Sequence, residues 1–110
     1  MNYEQRIRLE DTANESFTNA LKSKERSDKF RYLRSLFFAR DLFHYVENLE
    51  LYPICNRFII HEIKSENISK DEFKWFSRCS FEKVLFIIGL MGGGISYIYK
   101  RLKEQENGIY

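Results

Sequence analysis

The sequence predicts an all-α fold, a compact bundle of five or six helices, and three observations predict it. The 110-residue chain has a single proline, Pro53, and no glycine before Gly89, so the residues that punctuate turns are scarce. Long stretches rich in Lys, Glu, Leu and Phe carry apolar residues three and four positions apart, while no segment alternates with the period of a strand. Ser69 is followed at the third position by Glu72, with Ile68 before the cap and Phe73 after it. That is the pattern of a capping box with a hydrophobic staple, the clearest helix start in the chain.

The elements follow in order. Asn2 is placed to cap a first helix, with Gln5 reaching back to it. Tyr3, Ile7, Phe17 and Leu21 form its apolar stripe, which Glu10 and Asn14 interrupt, so this helix is expected to dock only in part. Residues 22–28 read as a charged link. A second helix is expected over residues 28–49, with Phe30, Leu33, Leu36 and Phe37 on one side. Phe38, Leu42, Tyr45, Val46 and Leu49 drift to another side. At about 100° per residue no straight stripe holds both sets, so the helix either bends near residues 38–40 or meets neighbours on two faces. Pro53 suits the first turn of a third helix, whose buried face is Ile54, Cys55, Phe58, Ile59 and Ile63. A short helix then starts at Ser69 with Phe73 and Phe76 inward. Ser80 caps the next, residues 81–91, which is apolar nearly all round and expected as the central helix. Residues 92–94 form a glycine turn. Ile98 and Leu102 close the bundle from a last helix whose C-terminal end suits Lys100, Arg101 and Lys103. Residues 106–110 are expected as a frayed tail. The chain, residues 1–110, is then one helical domain. Ten Phe, seven Tyr and one Trp supply a dense core without disulfide or metal.

Residues 84–99, VLFIIGLMGGGISYIY, are uncharged and set a choice between a buried element and a membrane span. As a helix they reach about 24 Å, short of the roughly 30 Å hydrocarbon core. Lengthening the run brings in Glu82 and Lys83, at roughly 2.5–3.5 kcal/mol each near the bilayer centre. Burial inside a bundle is therefore expected. The alternative, a small single-span protein, draws on the GxxxG spacing of Gly89 and Gly93 and on Tyr97 and Tyr99 beside the basic end. The polar start, MNYEQRIRLEDTANE, lacks the pattern of a signal peptide, so a cytoplasmic setting with free thiols at Cys55 and Cys79 is expected. Abundant Lys, Asn, Ile, Phe and Tyr match an AT-rich coding sequence and suggest a phage, virus or mobile-element origin.

No constellation points to catalysis. His44, Cys55, His61 and Cys79 lack the close pairing of structural zinc ligands, so neither metal nor cofactor is expected. Arg40 with His44, and Arg57 with His61, lie four apart, closer than the arginine–histidine spacing of helical ribonucleases. Arg40, His44, Glu47 and Asn48 read as a solvated helix face. The triple glycine lacks the Lys-Ser/Thr of a phosphate loop.

Binding is the expected role. Trp75 falls on the flank of its helix beside Lys70 and Lys74, the setting of an interface anchor, with Arg40, His44 and Glu47 as the competing surface. The second candidate is basic: Lys22, Lys24, Arg26, Lys29, Arg31 and Arg34 would contact nucleic-acid phosphates if they shared one surface. Net charge is only +2, which favours neither partner class. Residues 66–105 resemble the second half of a caspase-recruitment domain in their succession of capped helix, hydrophobic helix, glycine and aromatic helix. The likeness covers less than half the chain and implies only a helical interaction module. The expectation is a non-catalytic module that regulates or inhibits a protein partner, a second copy of the chain among the candidates. The alternative is a nucleic-acid-binding regulator using residues 22–34.

Overall fold

Short-range hydrogen bonds set where each helix begins. In the computed structural model, which describes residues 2–106 and only the backbone of 104–106, Asn2 Oδ1 accepts from the Gln5 N–H at 2.8 Å and Gln5 Oε1 accepts from the Asn2 N–H at 3.2 Å. This box starts α1 (Tyr3–Glu25). Asp28 caps α2 (Lys29–Tyr45) by accepting from the Arg31 N–H at 3.1 Å. Asn48 Oδ1 takes the N–H groups of Glu50 and Leu51 at 3.2 and 2.9 Å and so starts α3 (Leu51–Lys64), with Pro53 in its first turn. The Ser69–Glu72 box starts α4 (Lys70–Leu90), and Ile68 and Phe73 are both buried beside it. Each such cap is worth about 1 kcal/mol. α5 is Gly94–Glu106. The described residues contain no strand, so the all-α bundle stands with five helices. The expected tail falls, apart from Glu106, outside the described residues.

The four connections end their helices in one way. Ser27, Glu47, Glu66 and Gly92 have φ of 59°, 59°, 58° and 81°. The N–H of the following residue reaches back five positions, from Asp28 to Ser23, Asn48 to Phe43, Asn67 to Glu62 and Gly93 to Ile88, at 2.9–3.0 Å. This is the Schellman ending, which normally recruits glycine to the left-handed position. Only the last of the four has it. Gly93, beside it, is needed for space. A Cβ there would lie 2.7 Å from Ile88 Cγ2 and would meet the Tyr45 hydroxyl.

The central helix is α2, not residues 81–91. α1, α3 and α4 each pack against α2, whereas α5 packs against α4. From Leu36 to Phe43 every α2 residue is buried. The two drifting apolar sets in its sequence are thus two faces serving different neighbours. Residues 81–91 belong to one continuous α4 in which Val84 and Ile88 are buried, but Phe86 is 68% and Leu90 75% exposed. The start expected at Ser80 does not occur, because the Ser80 hydroxyl points inward to a carboxylate on α2 instead of capping a helix. α1 also differs. Its buried face is Leu9, Ala13, Ser16 and Ala20, and Tyr3, Ile7 and Leu21 are exposed. Three small residues bring the helix close to α2, and the Ser16 hydroxyl donates to the Ser35 carbonyl at 2.8 Å. No described helix is long and apolar enough to cross a membrane. The turn after Leu90 divides residues 84–99 between α4 and α5, so they do not form one continuous helix.

A charge cluster lies inside the core. Asp41 is 1% exposed and Arg40 2%. Asp41 Oδ1 accepts from Arg40 Nε at 3.0 Å and from Arg101 Nη1 at 2.9 Å, and Oδ2 accepts a short bond from Ser80 Oγ. Arg101 Nη2 also donates to the Ser77 carbonyl and hydroxyl at 3.1 and 2.8 Å. One carboxylate thereby joins α2, α4 and α5. The antiparallel α4–α5 pairing is carried on by Tyr97, which stacks on Phe81 with ring centres 5.5 Å apart.

Removing one member of a buried ion cluster strands the others, at a cost of roughly 3–5 kcal/mol. Asp41→Ala is accordingly expected to lose about that much stability in urea unfolding; a loss within the range of surface substitutions, about 0.5 kcal/mol, would contradict the role assigned to Asp41. Conversely, Glu66→Gly removes a left-handed strain of roughly 1 kcal/mol at an exposed position. Thermal melts should show the variant more stable than the parent, and a lower midpoint would refute the strain argument.

Candidate functional site

The polar residues of α1 that face α2 recur at helical spacing. Ser16, Asn19, Lys22, Ser23 and Arg26 line one wall of an open pocket of about 400 Å³. Arg31, Arg34 and Ser35 of α2 form the opposite wall, and Lys83 of α4 reaches in. Five cations surround the pocket and no carboxylate lines it. The nearest acid in sequence, Asp28, is 3.7 Å from Arg31 Nε but already accepts the capping N–H of that residue. Lys22 and Arg26 form no ion pair among the described residues. The Arg34 guanidinium lies 6.0 Å from the Phe30 ring centre, and Lys83 Nζ lies 4.1 Å from that of Phe38. Burial, and then the Arg34 charge, hold the Lys83 ammonium below its usual value.

The structure sorts the basic segment that the sequence presented as one run. Lys22, Arg26, Arg31 and Arg34 share the pocket. Lys24 turns away to Glu62 at 3.3 Å, and Lys29 turns to Glu72 at 3.3 Å. Lys83 was not among the expected residues; it is distant in sequence, and only the packing of α4 on α2 brings it to Arg34.

Of the surface expected around Arg40, Arg40 itself is missing and Glu47 is exposed. Arg40 is buried on Asp41 because every side of α2 is covered at this level, so it is unavailable to a partner. His44 is half-buried with its ring centre 4.5 Å from that of Tyr52. Glu47 holds the left-handed position after α2 and pairs with Lys100 at 3.3 Å, while Asn48 Oδ1 accepts from the N–H groups of Glu50 and Leu51 at the start of α3. These residues terminate helices. Trp75, Lys70 and Lys74 are exposed as expected. Trp75 is 47% exposed and forms a ridge with Phe30, at 5.5 Å between ring centres, and with Phe76 at 5.0 Å.

A larger apolar surface was not anticipated. Ile95, Ile98, Tyr99 and Leu102 repeat at the spacing of one helical face and are 87%, 40%, 60% and 55% exposed. Phe86 and Leu90, one turn apart on α4, are exposed as well. The sequence signal was the apolar run itself, in which inward and outward residues look alike.

Nothing among the described residues groups three or more metal-binding side chains. Burial above all pushes the Cys55 thiol up to about 12; Arg40 opposes this and Asp41 adds to it. The thiol is thus inert at neutral pH. Burial and then Glu62 raise the Tyr32 phenol well above its usual range. No protein-family model, no curated protein and no solved structure matches this chain.

Glu62 is 6% exposed and fixes Lys24 outside the pocket. Burial raises its carboxyl pKa, but hydrogen bonds from Asn67 and Lys24, and the Lys24 charge, outweigh this and leave it below the ordinary value. The stabilisation is therefore complete above the unfolded carboxyl pKa, about 4.3, and is lost as pH falls through the lowered folded value. Glu62→Gln should cost about 1–2 kcal/mol at pH 7. Unfolding curves of parent and variant should converge below about pH 4; a constant gap across pH would rule this linkage out.

Proposed function

We propose that this protein is a non-catalytic helical interaction module that regulates or inhibits a protein partner in the cytoplasm, in a phage, virus or mobile-element setting. The observation that supports the reading is the exposed apolar face of α5, formed by Ile95, Ile98, Tyr99 and Leu102. Monomeric proteins rarely leave a contiguous face of large apolar side chains uncovered, and such faces mark interaction surfaces. The charges that flank them, Lys100 and Lys103, suit a polar rim. The Trp75–Phe30 ridge is a smaller second anchor on the same kind of argument.

Ile95→Ser combined with Tyr99→Ala tests the reading, since both residues are exposed and neither belongs to the buried core. The expected result is an unchanged unfolding midpoint, within about 0.5 kcal/mol, and loss of the partner captured from the native host by the parent protein. Sedimentation equilibrium of both forms separates a foreign partner from a second copy of the chain. If the double variant captures the same partner with parental affinity and sediments identically, the α5 face is not the interface. Trp75→Ala, read in the same way, assigns or removes the aromatic ridge.

A further inference from the structure

The pocket between α1 and α2 lies outside the apolar surface of the interaction reading and carries a different chemistry. Lys22, Arg26, Arg31, Arg34 and Lys83 come from three helices to one concavity. The chain sets 16 acids against 18 Lys and Arg, and pairs Lys24 with Glu62, Lys29 with Glu72 and, at the pocket edge, Arg31 with Asp28. It places no acid in this lining. We propose that the pocket binds a phosphate-bearing ligand, either a phosphodiester strand or a phosphorylated small molecule. The guanidiniums of Arg26, Arg31 and Arg34 offer forked donors to phosphate oxygens, and Lys22 and Lys83 add point charges. Asn19, Ser23 and Ser35 supply neutral polar groups at the same wall. Its volume of about 400 Å³ falls within the range of small-ligand sites. Burial first, and then repulsion from Arg34, disfavour the charged Lys83, and a bound anion would offset the second. The site is legible as a phosphate pocket only in three dimensions, since Lys83 stands far from the other cations in sequence.

Two probes separate the two sources of phosphate. Fluorescein-labelled single- and double-stranded DNA and RNA oligonucleotides are titrated at several salt concentrations, and ATP and inorganic pyrophosphate are titrated by calorimetry. Binding of an oligonucleotide with a steep salt dependence, unaffected by ATP, places a phosphodiester strand in the pocket. Binding of ATP or pyrophosphate that displaces the oligonucleotide, or occurs alone, places a phosphorylated small molecule there. In either case Arg34→Ala and Lys83→Ala should each weaken binding roughly tenfold, while Lys29→Ala and Lys74→Ala, basic but outside the pocket, should change it less than about twofold. The proposal is overturned if no probe binds at low salt. It is equally overturned if Lys29→Ala and Lys74→Ala weaken binding as much as the pocket variants, because diffuse charge attraction would then suffice. Neither result bears on the α5 face.

Discussion

The Asp41 carboxylate has to satisfy two guanidiniums and a hydroxyl in a place water does not reach. Arg40 comes from its own helix, Ser80 from α4 and Arg101 from α5. Charges so placed are tolerated only when each is paired and hydrogen-bonded. The register of α4 on α2 and of α5 on α4 is consequently narrow. A shift of either helix by one turn would leave a charge buried alone. Apolar packing alone discriminates less sharply, because Leu, Ile and Phe in a helical core exchange places at modest cost.

Around that cluster α2 is covered on all sides, and the exposed surfaces lie on its first two turns and on the helices that cover it. Small residues on α1 let it lie close to α2, while its outward polar residues form one wall of the basic pocket. α4 gives Val84 and Ile88 to the core and presents Lys83 to the pocket and Phe86 and Leu90 to the opposite kind of surface. One helix thus serves a polar site and an apolar one from adjacent positions, which the 3.6-residue period allows.

The sequence made most helix starts legible, the one expected at Ser80 apart, and the helix ends much less so. Asn2 with Gln5, Ser69 with Glu72, and Pro53 in a first turn each carry a local hydrogen-bond or steric rule, and each is where it was expected. The ends were blurred because Ser27, Glu47 and Glu66 occupy positions where glycine would have announced the stop. α2 was therefore drawn four residues too long, to Leu49 rather than Tyr45. The central helix was misplaced for a different reason. Hydropathy ranks residues 81–91 above α2, whose buried stretch contains Arg40 and Asp41. Charges lower the apparent burial of a segment unless their pairing is known, and Arg101, sixty positions away, is not visible from α2. The same blindness applies to α1, where alanines and a serine form the inward face and larger apolar residues face out. Of the residues expected to bind, Trp75 and its lysines are exposed and four of the six basic residues share one pocket. Lys83 and the apolar face of α5 depend on tertiary packing.

The order of helix contacts has a kinetic meaning. α1 with α2, α2 with α3, and α4 with α5 are pairings of chain neighbours, which close short loops at little entropic cost. α2 with α4 is the exception, because the whole of α3 intervenes. That pairing is also the one in which the Ser80 hydroxyl meets Asp41. Among the larger helix contacts, the longest loop closure and a demanding polar match therefore fall at the same event. Hairpins on either side of it can form and dissolve quickly, but neither is committed until α4 docks in register. A chain built this way folds fast by the standard of local topology, and its cooperativity is concentrated at a single helix–helix seam.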